Sequence, residues 1–355
     1  MTAVGSEAAA GAKHINLALQ GGGAHGAFTW GVLDRLLEDS RVAIEAISGT
    51  SAGAMNAVVL VDGLMEGGPE GARRQLRQFW ETVAERSGFN LQGSDPFSIF
   101  MRSWGLDRLA AFWFDGVMHN LSPYDLNPLN VNPLKRIVDD LVDFERVRAC
   151  DGLKLFVSAT NVETGRVRVF ARDKLTVDMV MASAALPTLF QAVEVDGKFY
   201  WDGGYMGNPV LFPFFYTSGS SDVLIVQINP IERAGVPRNA RDILDRVNEI
   251  SFNASLLNEL RAVDFVRRML KADRLSPDEY REMYIHIIDG AQPLAALGAQ
   301  SKLNPERAFL ERLFEMGRAA ASTWLDTHYD ALGVNSTVDL RRLFQGDGYE
   351  LEPIG

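Results

Sequence analysis

Three short segments hold residues whose types and spacing could do chemistry. Gly49-Thr50-Ser51-Ala52-Gly53 follows an apolar run over residues 43–48, which sets a serine between two glycines where a strand should turn into a helix. A sharp turn of this kind strains its middle residue and exposes the side chain, and flanking glycines avoid clashes with the neighbouring strand or helix. A helix over residues 52 to about 64 would aim its N-terminal N–H groups and positive dipole end at the Ser51 oxygen, which favours an anion there. Upstream, a strand-like run over residues 15–20 enters Gly21-Gly22-Gly23-Ala24-His25-Gly26, followed by an apolar helix start at Ala27. A glycine-rich loop between strand and helix is a nest of free N–H donors, suited to a phosphate or to the oxyanion of an acyl-transfer intermediate. Downstream, Phe199-Tyr200-Trp201-Asp202-Gly203-Gly204 places a carboxylate between an aromatic run and two glycines. A serine nucleophile needs a base within hydrogen-bond reach, and a glycine-flanked aspartate on a loop is one way to supply it.

Each segment also has a plainer reading. The serine pentapeptide could be a small-residue packing turn, and Asp-Gly-Gly is commonly a surface turn. Gly21-x-Gly23-x-x-Gly26 fits the dinucleotide-binding fingerprint, which calls for an acidic residue closing the next strand about twenty residues on. Glu38, Asp39 and Glu45 stand near that distance, but the second strand ends in Ser48-Gly49 and delivers the serine turn instead.

The order of the three segments resembles the patatin-like phospholipase family, the patatin-type serine acyl hydrolases. Ala182-Ser183-Ala184-Ala185-Leu186-Pro187 resembles the small-residue stretch that the family places before its aspartate loop, and residues 159–165 resemble its strand-turn after the central region. The likeness covers about residues 14 to 230. It implies an α/β fold, a three-layer α/β/α sandwich with a mainly parallel central sheet. It also implies a Ser51–Asp202 dyad without histidine and hydrolysis of acyl esters in phospholipids, lysophospholipids or neutral lipids. The oxyanion hole would come from residues Gly21, Gly22, Gly23, Ala24, His25 and Gly26, the nucleophile turn from Gly49 and Gly53, and the aspartate loop from Gly203 and Gly204. One departure stands out: the family commonly has Arg or Lys where this chain has His25. Histidine, with an ordinary pKa near 6.5, is charged only part of the time at neutral pH. Either His25 packs and caps the helix, or activity falls as it loses its proton.

The dyad chemistry can be argued from the residues alone. An aspartate near pKa 3.9 is a weak base for serine. Desolvation in a closed site raises it, and N–H groups of Gly22, Gly23 and Ala24 would hold the tetrahedral oxyanion. Ser51 would attack the carbonyl, Asp202 would pass the proton to the leaving alcohol or lysolipid, and water would clear the acyl-enzyme. The competing reading is a Ser–Asp–His triad on an α/β-hydrolase scaffold, whose chain order puts the histidine last. Of five histidines only His286 and His328 follow Asp202, and His286 sits in a strand-like run. A nucleotide-binding module or a non-catalytic lipid-binding regulatory protein are the non-enzymatic alternatives.

Composition frames these readings. The chain has 355 residues, 47% hydrophobic and 23% charged, ample for a large core. A net charge of −11 argues against nucleic acid and gives no general attraction to anionic lipid. The single Cys150 excludes an intramolecular disulfide and fits a reducing, cytoplasmic setting, with association peripheral to a membrane as an option. Nothing suggests a metal or other cofactor. The expected partners are a lipid or acyl-ester substrate and, as a further option, a second copy of the chain. No apolar run long enough to span a membrane is visible.

Along the chain, residues 1–13 read as a flexible lead-in and 14–230 as the catalytic domain. Strands are expected at 153–160, 166–171, 223–228 and 283–288, and helices at about 70–86, 131–143, 175–184, 239–273 and 305–330. Asn304 is expected as the N-cap of the last helix with Pro305 at its first position. Residues 231–355 read as strand and helices buttressing the catalytic domain. The stretch 88–126 interleaves aromatics such as Phe97, Trp104 and Trp113 with turn residues. It reads as an inserted subdomain, a lid over the acyl pocket, or a surface that enters lipid.

Overall fold

The computed structural model of the protein describes residues 11–89 and 122–346. The aromatic stretch 88–126 falls almost wholly outside these residues, and with it the lid expectation. The strands are β1 (Lys13–Leu19), β2 (Val42–Gly49), β3 (Lys154–Asn161), β4 (Val167–Ala171), β5 (Val193–Val195), β6 (Lys198–Asp202), β7 (Asp222–Gln227) and β8 (Tyr284–Asp289). They form one mixed sheet in the order β5-β6-β3-β2-β1-β7-β8, with β4 also paired to β3. The pairs from β3 through β2, β1 and β7 to β8 are parallel, and those involving β4, β5 and β6 are antiparallel.

Parallel strands are covered on both faces and so read as continuous apolar runs. Every residue of β7 is buried. Alternate side chains then divide between two cores, because successive Cβ atoms of a strand point to opposite faces. Leu17, Leu19, Leu224 and Val226 enter one hydrophobic cluster, while Ala18, Val223 and Ile225 enter the other.

The helices are α1 (Gly26–Glu38), α2 (Ala52–Phe89), α3 (Pro123–Leu126), α4 (Pro133–Leu141), α5 (Phe144–Arg148), α6 (Val177–Ser183), α7 (Phe212–Thr217), α8 (Ala240–Lys271), α9 (Ala291–Ala295), α10 (Arg307–His328) and α11 (Leu340–Gln345). Residues from α1, α2, α6 and α10 fill the first cluster, and those of α8 and α11 the second. The result is the three-layer α/β/α arrangement. The two helices expected near 52–64 and 70–86 are the halves of α2. The backbone leaves helical geometry at Gly67 and Gly68, just before Pro69.

The region after residue 231 is woven into the same body. Strand β8 pairs with β7 along its whole length. Helix α10 lies so close to α1 that a Cβ at Gly31 would run into the Phe314 backbone and one at Gly317 into the Phe28 backbone. Trp30 and Phe314 pack across that contact with tilted rings whose centroids are 4.1 Å apart.

Two local expectations need correction. Helix α10 begins at Arg307 with Glu306 as its N-cap. Asn304 instead accepts the Glu306 N–H at 3.0 Å, so the Asx turn precedes the helix and Pro305 lies outside it. Asp202 is the last residue of β6 rather than a loop residue: β5 and β6 form a hairpin around Asp196 and Gly197, both at positive φ. Its strands are short, and the glycine-rich surroundings conceal them.

Candidate active site

Ser51 stands on the turn between β2 and α2 with φ of 54°, one of few non-glycine residues at positive φ. That conformation is strained for an L-residue, and the packing around it leaves no slack. A Cβ at Gly49 would lie 2.6 Å from the Gly53 carbonyl oxygen, and one at Gly53 would collide with the Leu19 carbonyl. The Ser51 N–H donates to Ser183 Oγ at 2.8 Å, and its carbonyl accepts from Met55 N–H at 3.1 Å as α2 begins. Ser51 therefore caps α2, whose positive dipole end lies beside it.

Strand β3 is the ruler that brings Asp202 to the same place. Gly49 at the end of β2 is registered with Val157, and Asp202 at the end of β6 with Ala159. Ser158 between them bonds Thr50 Oγ1 at 2.6 Å, and Thr160 Oγ1 donates to the Asp202 carbonyl at 2.8 Å. The Asp202 side chain is 1% exposed. Its Oδ1 accepts the Gly204 N–H at 2.7 Å. Burial pushes its pKa up to about 7, opposed by the Gly204 N–H and by the nearby Ser51 hydroxyl. Ser51 is thus close enough to favour the carboxylate, yet Oδ2 has no hydrogen bond of full geometry. A loose serine–base contact of this kind is common in unliganded sites and tightens when substrate is held. Gly203 and Gly204 admit no side chain: a Cβ would meet the Ser158 carbonyl at Gly203 and the Phe252 ring, 2.8 Å away, at Gly204.

The glycine loop abuts the serine directly. A Cβ on Gly21 would lie 2.6 Å from Ser51 Cβ. Gly23 takes φ of 58° against the backbone of Lys302. The N–H groups of Gly22 and Gly23 donate to no other group among the described residues. Beneath them lies a buried amide cluster. Asn208 Oδ1 accepts the Gly21 N–H at 2.7 Å, and Asn229 Nδ2 donates to the Gly21 carbonyl at 2.6 Å. Gln20 Oε1 accepts from the N–H groups of Ile228 and Asn229, both at 2.9 Å.

The remaining expected residues lie where the loop enters α1. Gly26 opens α1, where a Cβ would stand 2.8 Å from that of Ala52; Ala24 and His25 form the short turn before it. His25 is buried, and its Nε2 lies 2.6 Å from Ser301 Oγ. Burial first, and Lys302 beside it second, push its pKa down to about 3. His25 is therefore neutral at physiological pH and supplies no charge to the loop.

His286 is not brought to Ser51. Its ring is fully buried, with Nε2 2.9 Å from Asp222 Oδ1 and Nδ1 3.2 Å from Thr337 Oγ1, so both nitrogens are engaged elsewhere. Among the described residues no group of three or more His, Cys, Asp or Glu could hold a metal ion, and no helix is long and apolar enough to cross a membrane. Cys150 is buried, which pushes its thiol pKa up.

The structure brings the expected serine, aspartate and glycine loop together, held by groups that sequence reasoning did not name. Ser183 lies in the small-residue stretch that carried the family likeness, with no role assigned. Asn208, Asn229, Gln20 and Lys302 carry no motif at all. For Gln20, Asn208 and Asn229 the one signal is that each is a polar residue beside an apolar run, where a buried polar group must find a partner, and Lys302 has not even that.

Comparison with known proteins bears on the same region. The patatin-like phospholipase family model matches residues 17–215. Among solved structures the chain is similar to VipD from Legionella pneumophila, at 15% identity over 90% of this chain and 68% of that one, with a TM-score of 0.39. It is also similar to a chain of the complex of SpcU with ExoU, from the type III secretion system of Pseudomonas aeruginosa. There the identity is 16% over 89% of this chain and 53% of that one, with a TM-score of 0.29. No curated protein matches.

Proposed function

This chain belongs to the patatin-like phospholipase family, and from that premise we propose that it is a serine acyl hydrolase of lipid esters, of phospholipase A or lysophospholipase type. The observation that carries the reading is Ser51 held at positive φ against Gly21, with the buried Asp202 carboxylate beside it. Ser51 Oγ attacks the ester carbonyl, and its proton passes to Asp202. The N–H groups of Gly22, Gly23 and Ala24 take the charge that develops on the carbonyl oxygen. Collapse expels the alcohol or lysolipid, which takes the proton from Asp202. Water, activated by the same carboxylate, then hydrolyses the acyl-enzyme. A pKa near 7 suits Asp202 to this work, because it can both accept and return a proton at neutral pH. The engagement of His286 with Asp222 and Thr337 favours the dyad over a triad.

The test is turnover of a short-chain nitrophenyl ester together with covalent labelling by a fluorophosphonate probe. Wild type is expected to turn over and label, Ser51→Ala to do neither, and Asp202→Asn to lose turnover. Equal turnover by wild type and Ser51→Ala would reject the reading.

A further inference from the structure

Lys302 lies behind the glycine loop, where burial lowers its pKa from the ordinary lysine value and Glu249 and Asp245 oppose that shift. It lies in a 3-10 turn over Ala299–Leu303, and its carbonyl presses on Gly23 so closely that no Cβ fits there. The residue is half-buried as a whole, but its ammonium reaches inward to donate to Asn229 Oδ1 at 2.8 Å. Among the described residues it has no carboxylate within ion-pair distance: Glu249 and Asp245 favour its charge from further off, and Glu249 is itself paired with Arg233 at 2.6 Å and Arg246 at 3.3 Å. A desolvated ammonium whose one hydrogen bond goes to a neutral amide is costly, and perturbed cations of this kind gather at functional sites.

The connection onward is explicit. Asn229 takes the Lys302 proton donor on Oδ1 and donates from Nδ2 to the Gly21 carbonyl. That carbonyl belongs to the same peptide group as the Gly22 N–H. Hydrogen bonds in series polarise one another in a low-dielectric interior, so a cation at one end makes the N–H at the other a stronger donor. The neighbouring titratable and charged groups are His25 in the turn before α1, Arg233 ahead of α8, and Asp245 and Glu249 on α8. His25 is neutral, and Lys302 helps keep it so.

We propose that Lys302 is the positioning cation of the oxyanion loop, acting through Asn229 on the Gly21–Gly22 peptide whose N–H meets the charge formed after Ser51 attacks. This rests on the hydrolase reading above, and it assigns a part in that site to a residue far outside the span the family model matches. A bond to a developing oxyanion matters in the transition state and little in the ground state, so the loss should fall on kcat rather than KM.

The experiment measures kcat and KM on a nitrophenyl ester, and inhibition by an alkyl trifluoromethyl ketone, which Ser51 converts to a hemiketal oxyanion. The variants are Lys302→Met, Lys302→Arg, Asn229→Asp and Ser51→Ala. Lys302→Met is expected to lower kcat by about tenfold or more with KM nearly unchanged, and to weaken the ketone in proportion. Lys302→Arg recovers most of the loss. Asn229→Asp keeps a partner for Lys302 but removes the donor to Gly21, so it should match the Lys302→Met loss even if Lys302→Met fails to fold. Full kcat in Lys302→Met or in Asn229→Asp overturns the inference while leaving the hydrolase reading intact. So does a kcat loss that leaves ketone binding unchanged. Equal turnover by wild type and Ser51→Ala would overturn both.

Discussion

Gly204 donates its N–H to Oδ1 of Asp202 at 2.7 Å, while Oδ2 of the same carboxylate is buried without a hydrogen-bond partner among the described residues. One oxygen is therefore fixed and the other is left for a proton. This division explains how the carboxylate can be both oriented and basic, and it has consequences for pH.

With its pKa pushed up to about 7 by burial, Asp202 becomes progressively protonated, and so less available as a base, as pH falls below that value. We expect kcat/KM to rise with pH and level off above about 7, and Asp202→Asn to be inactive throughout. Stability should run the other way. The folded protein holds this proton more tightly than the unfolded chain, so between 3.8 and about 7 stability falls as pH rises. The full difference is on the order of 4 kcal/mol. Asp202→Asn should remove that slope, so denaturant unfolding of both proteins at pH 5 and pH 8 checks it. Parallel pH dependences would refute the assignment.

Ser51 should be a position where activity opposes stability. Its φ of 54° is costly for any residue with a Cβ and free for glycine. Ser51→Gly is expected to be inactive yet more stable than Ser51→Ala by about 1 kcal/mol. Thermal unfolding of the two variants decides the point; an alanine variant as stable as the glycine variant would show that the turn is relaxed.

Much of this site was legible because its parts are local. The apolar runs of β1 and β2 end at glycines that have no room for side chains, and both the fold class and Ser51 follow from that pattern. The strand that ends at Asp202 was harder, since β5 and β6 are only a few residues long around the Asp196–Gly197 turn. The supporting shell was not legible at all. Ser183, Asn208, Asn229 and Lys302 meet the glycine loop or Ser51 from positions 132 to 279 residues away in the chain. Which buried polar groups become neighbours is a property of the folded topology, and no local period records it. His25 shows the same limit: the sequence leaves its charge open, and burial beside Lys302 decides it.

His25 should therefore not govern the alkaline side of the activity profile. Wild type and His25→Gln, which can still bond Ser301, are expected to share the same alkaline limb. The residue should matter to acid stability instead. Its folded pKa of about 3 lies below the ordinary 6.5, so the unfolded chain binds the extra proton. Its contribution is fully present above 6.5 and is lost as pH falls toward 3, by up to about 5 kcal/mol. His25→Gln should unfold less steeply with acid. Ring-proton NMR showing His25 titrating near 6.5 in the folded protein would contradict this.

His286 separates the dyad from the triad. If it were the catalytic base, His286→Ala would abolish labelling of Ser51 by a fluorophosphonate. The geometry instead makes it a structural member: its Nε2 bonds Asp222, its Nδ1 meets Thr337, and its ring lies edge-on to Trp324 at 5.7 Å between centroids. Removing it opens a buried cavity and strips one partner from Asp222, which still accepts from the Gly333 N–H at 2.9 Å. We expect a destabilisation of about 2–4 kcal/mol, with the labelling rate of the folded fraction within about twofold of wild type, since no interaction made in the transition state is lost. Labelling measured well below the unfolding midpoint keeps the two effects apart. A variant that folds but no longer labels would transfer the role of base from Asp202 to His286.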